Sequence, residues 1–194
     1  MATVARLNVP FVPQNEAFYC VPACMSMCIR YLNTEVLTTP IPDFSLSEIA
    51  KIVHTQDGTW APDVKNMNEH LEEGAPSVEF EDEYMVRTLP EIVTEFTAGR
   101  PCIPLLKLTD GMKHTWHAIV VTGISIETNQ IWYNDPIYSD ARFGVRSSKL
   151  SAFDALWRAA LTTLVKVQIG QKTRTVLTQF IKPEEKVEVK KDES

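Results

Sequence analysis

Helix-forming and strand-forming signals are segregated along this chain. From Cys20 to about Leu32 two apolar rows, Ala23–Met27–Tyr31 and Cys24–Cys28–Leu32, recur at helical spacing. Pro22 fits only in a first turn, so this helix starts near Cys20. Ser45 with Glu48 three residues on forms a capping box for a helix through Val53. Pro62 opens a third helix, expected to run to Glu73 and stop at Gly74. Leu89 to Ala98 is a fourth, closed by Gly99 and Pro101. Strand signals come mostly later. Val78–Phe80 is a short candidate; Cys102–Leu108 and Ala118–Ile126 are apolar and rich in β-branched residues. Gln130–Asn134 follows a turn at Glu127–Asn129, as in a hairpin. Leu161–Gly170 and Arg174–Ile181 are further candidates, with a short helix over Phe153–Ala160 before them. Helices first and an antiparallel sheet second predict an α+β fold, not an alternating α/β one.

At 194 residues the chain is one domain against a prior of roughly 150 residues per domain. Hydrophobic residues make up 44% and charged residues 23%, enough for a core without disulfide or metal staples. Nineteen Lys and Arg against 25 Asp and Glu leave a net charge of −6. That balance carries no electrostatic footprint for a nucleic-acid backbone or an anionic membrane. No apolar run reaches the length of a membrane span, and the N-terminal MATVARLNVPFVPQ lacks the apolar segment of a signal peptide. A cytoplasmic location is expected. Residues 1–181 are read as the domain. Lys182–Ser194 carries nine charges of mixed sign and is expected to be a solvated tail.

The four cysteines carry the chemical question. Cys20, Cys24 and Cys28 fall on one slowly drifting helix face, and Cys102 stands apart. They are either small buried side chains or include a nucleophile. A thiol nucleophile needs a lowered pKa, a general base, a group to orient that base, and donors for the developing oxyanion. The chain offers a candidate for each. Cys20 sits at the helix start, where the dipole favours a thiolate. Gln14, six residues upstream, has a side-chain amide that can donate. His117 opens the run HAIVVTG, and Asp135 ends the next strand in YNDP. If those strands pair as a hairpin, the two side chains can meet across the sheet.

On these residues the chain resembles a known family. VPFVPQNEAFYCVPACMSMCIRYL is similar to the opening of papain-like cysteine peptidases, specifically the bacteriocin-processing, double-glycine-leader peptidases and their stand-alone relatives. GTWAPDVKNMNEHLEEG, LPEIVTEFTAGRP, WHAIVVTGI, WYNDP and LSAFDALWRAALTTLVKV resemble its later segments, in order, over about residues 8 to 168. The resemblance implies a papain-like fold, with a helical part bearing the nucleophile packed on an antiparallel sheet bearing the base. It implies Cys20 as nucleophile, His117 as base and then acid, Asp135 as orienter, and Gln14 with the Cys20 N–H as oxyanion hole. It implies a peptide or protein substrate and no cofactor or metal. Where the family usually has Gly after the cysteine, this chain has Val21, whose branched side chain borders the substrate path.

Rivals exist for several roles. His114, three residues before His117, falls in the polar stretch DGMKHT and is read as an exposed loop residue. Asn134 could orient an imidazole, but adjacent strand residues point to opposite faces and only one of Asn134 and Asp135 can serve. A zinc site from the three helix cysteines and a His has no familiar ligand spacing. Trp116, beside His117, is the tryptophan expected to line the cleft. The leading reading is a thiol peptidase cleaving a peptide or isopeptide bond. A non-catalytic peptide-binding module of the same fold and an acyl transferase using the same residues are the alternatives.

Overall fold

The computed structural model describes residues 6–71, 76–85, 88–110 and 113–170. Helix α1 (Cys20–Glu35) is the centre of the helical part. Pro22 lies in its first turn, where a missing N–H costs no internal bond. Every residue from Val21 to Ile29 is buried, so the helix is surrounded rather than laid on a surface. Beyond it, Asn33 pins the following loop by exchanging two 2.9 Å hydrogen bonds with the backbone of Ile41. Helix α2 (Leu46–Ile52) begins with the expected capping box: Ser45 Oγ accepts from the Glu48 N–H, and Glu48 accepts from the Ser45 N–H at 2.8 Å.

The third helix departs from expectation. Residues Ala61–His70 form a 3-10 helix, not an α-helix; the expected end at Glu73 and Gly74 lies outside the described residues. The buried residues Ala61, Val64 and Met67 recur every three positions, the period at which a 3-10 helix lines up one face. Asn68 fixes this helix to the sheet, its carboxamide bonding both the N–H and the C=O of Phe80.

Strand β1 (Ser77–Glu83) runs past Phe80, through three acidic residues that the apolar pattern did not include. Lys65 pairs with Asp82 and Lys166 with Glu83, each at 2.6 Å, and so this acidic end stays in the ladder. Helix α3 (Leu89–Thr97) leads to β2 (Cys102–Asp110), β3 (Lys113–Ala118), β4 (Val120–Ser125) and β5 (Gln130–Asn134). A single-turn α4 (Ala141–Gly144), β6 (Val145–Lys149), α5 (Leu150–Ala159) and β7 (Leu164–Gly170) complete the described fold. All pairings are antiparallel, in the order β1-β7-β2-β4-β5-β6, with β3 on β2.

The helices cover both faces of the sheet. Ile103, Leu105, Val120, Val165 and Val167 pack with α1, α2 and the 3-10 helix. Cys102, Leu106, Val121 and Leu164 face the other way, onto Ile92 of α3 and Phe153 and Trp157 of α5. Burial on both faces explains why these strands read as continuous apolar runs. Two segments differ from the sequence reading. The stretch before Ala118 is strand β3, not loop: a hairpin with β2 pairs Leu106 with His117, and Ile119 separates β3 from β4. Strand β6, with the polar sequence VRSSK at the sheet edge, gave no apolar signal. The candidate strand Arg174–Ile181 and the charged tail lie outside the described residues. Among those residues, no helix is long and apolar enough to cross a membrane.

Candidate active site

Cys20 is the first residue of α1, and the preceding Tyr19 contributes no side-chain cap. An uncapped start leaves the first-turn N–H groups to other partners. Pro22 removes one of them, and the Val21 N–H turns to the Cys20 sulfur. No backbone carbonyl among the described residues takes the N–H of Cys20 itself. Burial pushes the Cys20 thiol up, but a hydrogen bond and charge from His117, with the N–H groups of Ala118 and Val21, bring it below its ordinary value. Cys24 and Cys28 are fully buried in the core. Burial, reinforced by neighbouring thiols, pushes both well above the ordinary range. Burial also raises Cys102, with Glu95 adding to the effect. Among the described residues, no group of three or more His, Cys, Asp or Glu is arranged to hold a metal ion.

His117 and Asp135 are brought together by the β4–β5 hairpin. Its last pair is Val120 with Asn134. Asp135 follows that pair directly, and His117 lies three residues before Val120, across the break in the strand at Ile119. His117 Nε2 donates to Asp135 Oδ1 at 2.7 Å, and both side chains are largely buried. Asp135 Oδ1 also accepts from the Ile137 N–H, and the Asp135 N–H bonds the Gly144 carbonyl. With Nε2 on Asp135, the other ring nitrogen is left to face the thiol. Burial works against a charged imidazole, but the bonds and charges of Asp135 and Cys20 outweigh it and raise His117 to about 9. The rival orienter Asn134 is engaged elsewhere and donates to the Val9 carbonyl at 3.0 Å. The side chain of His114 is outside those described.

Cys20 and His117 border a cleft of about 390 Å³. Gln14, Val21 and Trp116 line it as well. Trp116 is 49% exposed, whereas Val21 is nearly buried and belongs as much to the core as to the cleft. Gln14 differs from expectation in orientation. Its amide nitrogen donates to the carbonyls of Glu16 and Ala17 at 3.0 and 3.1 Å, while its buried Oε1 has no partner. The donor is in the cleft, yet engaged. No sequence pattern pointed to the other lining residues, Phe18, Asp57–Thr59, Leu105, Leu108 and Ile137 among them. They come from separate segments, and only the tertiary fold assembles them.

A larger open depression of about 610 Å³ lies between α2 and the 3-10 helix, lined by Glu48, His54 and His70 among others. It holds none of the groups above.

Comparison with known proteins agrees with this architecture. A Bacillus anthracis protein assigned to the C39-like peptidases superposes with a TM-score of 0.63 at 13% identity, over 89% of this chain and 100% of that one. At that identity the likeness establishes the fold. No curated protein sequence matches the chain. The model of the Peptidase_C39 like family matches residues 6–164, from the segment ahead of Gln14 to the start of β7. The chain therefore belongs to the Peptidase C39-like family.

Proposed function

We propose that the protein is a cysteine peptidase that cleaves a peptide bond through a thioester on Cys20. The observation that carries this reading is the unbroken line from the Asp135 carboxylate through the His117 ring to the Cys20 sulfur. The Cys20 thiolate attacks the scissile carbonyl carbon while the imidazolium of His117 stands beside it. Negative charge develops on the carbonyl oxygen, toward the free N–H of Cys20. Gln14 joins as second donor by exchanging one of its two carbonyl partners for the oxyanion. His117 gives its proton to the leaving amine as the C–N bond breaks, which leaves the acyl group on sulfur. Water then attacks the thioester, His117 accepts its proton, and the thiolate is released with the acid product. Asp135 holds the ring and stabilises its charge throughout.

The test is covalent trapping with peptide-based thiol electrophiles, read by intact mass and peptide mapping. At mildly acidic pH, one adduct per chain is expected, on Cys20, because the other three thiols are buried with raised pKa values. His117→Ala should weaken that selectivity. Equal modification of all four cysteines, or preference for Cys24 or Cys102, would overturn the assignment.

A further inference from the structure

The cleft carries a charge that the reaction does not use. Asp57, Gly58 and Thr59 reach it from the loop between α2 and the 3-10 helix. This loop is built rather than slack. The Thr55 N–H bonds the Ala50 carbonyl, the Thr55 and Thr59 hydroxyls meet at 2.7 Å, and the Gln56 N–H bonds the Gly58 carbonyl. Gly58 has φ +133°, a conformation that side chains rarely permit. The turn thus presents Asp57 at a fixed place. Among the described residues Asp57 has no hydrogen-bond or ion-pair partner, and no Lys or Arg lines the cleft. The thiolate, the imidazolium and Asp135 together sum to one negative charge, so Asp57 makes the cleft more negative still.

Apolar surface lies beside that carboxylate. Phe18, Trp116 and Ile137 line the same cleft and are each about half exposed, at 47%, 49% and 56%. One kind of side chain satisfies both: a long hydrocarbon stem ending in a cation, able to cover aromatic surface and reach a carboxylate. We propose that Asp57 is a specificity residue that selects a Lys or Arg of the substrate chain, within two positions of the scissile bond. The short reach follows from the size of the cleft, since each extended residue advances about 3.3 Å. This inference rests on the peptidase reading for its substrate class.

The experiment separates the two. Fluorescent peptides with Lys, Gln or Glu at each position in turn are titrated onto Cys20→Ala protein by anisotropy, and cleavage of the same panel is measured with the unaltered enzyme. At one position, Lys is expected to bind and react about two- to fivefold better than Gln, the scale of one partly exposed ion pair. Glu should be poorer than Gln, and the preference should shrink with added salt. Asp57→Asn should bring the Lys-to-Gln ratio near one, and Asp57→Lys should favour Glu. Glu127→Gln, a surface control of equal charge, should leave the ratio in place. An unchanged ratio in Asp57→Asn, an equal loss in the Glu127 control, or binding of no peptide would overturn the proposal. Binding with the Lys preference but no cleavage would overturn the peptidase reading and leave the role of Asp57 standing.

Discussion

His117 keeps its proton because Asp135 and Cys20 face it from opposite sides of one ring. With the imidazole raised to about 9 and Cys20 lowered by the same contact, each group favours the charged form of the other. The rate should therefore fall on the alkaline side near pH 9, and Asp135→Asn should move that limb downward, read from pH profiles of kcat/KM. Stability is linked with the same sign. The folded imidazole titrates at about 9 and the unfolded one near 6.5, so the stabilisation is complete below about 6.5 and is lost as pH rises through 9. Melting temperatures of the unaltered protein should drop across that window more than those of Asp135→Asn. Gln14 is the other residue whose contribution can be separated. Its amide nitrogen holds the carbonyls of Glu16 and Ala17 at rest, so Gln14→Ala removes a local brace together with the oxyanion donor proposed above. Turnover should fall roughly a hundredfold, the scale of one such donor. A fall in melting temperature at unchanged turnover would make Gln14 a brace only.

Among the elements, α4 does more for the site than its single turn suggests. Asp140 caps it by accepting from the Arg142 N–H, and its last residue, Gly144, gives its carbonyl to the Asp135 N–H. A Cβ on Gly144 would overlap the Phe11 ring and come within 3.0 Å of the Asp135 carbonyl oxygen. Gly144→Ala should cost about 1–3 kcal/mol by overpacking. Because the shift falls on Asp135, it should also lower the alkaline limb of the rate profile. Ser45→Ala is the matched comparison. It removes the capping box of α2 at a cost of about 1 kcal/mol, measured by denaturant unfolding, and should leave the limb in place. The start of α1 shows the opposite choice: no side-chain cap, with the Val21 N–H turned to the sulfur.

Across the molecule, what could be read in advance was what local chemistry writes into adjacent residues. Pro22 marked the start of α1, Ser45 and Glu48 marked α2, and of Asn134 and Asp135 one alone bonds His117. The 3-10 period was present as Ala61, Val64 and Met67, but Pro62 and Gly74 framed the segment as an ordinary helix. Strand β6 was silent because an exposed edge needs no apolar alternation. The approach of Asp57 to the cleft was equally silent, since it depends on how α2 and the 3-10 helix pack.

The segment that precedes Cys20 is fastened to β4, to β5 and to the chain just beyond β5. The Leu7 N–H bonds the Thr122 carbonyl, Asn134 holds the Val9 carbonyl, and the Gln14 N–H bonds the Pro136 carbonyl. Six residues after that last tie, the chain turns into α1 at Cys20. The cleft is thus a joint riveted along its back. Helical part and sheet cannot drift apart there without shearing three hydrogen bonds in series, so thiol and imidazole stay in register beneath a mouth formed by the braced Asp57 loop and Trp116.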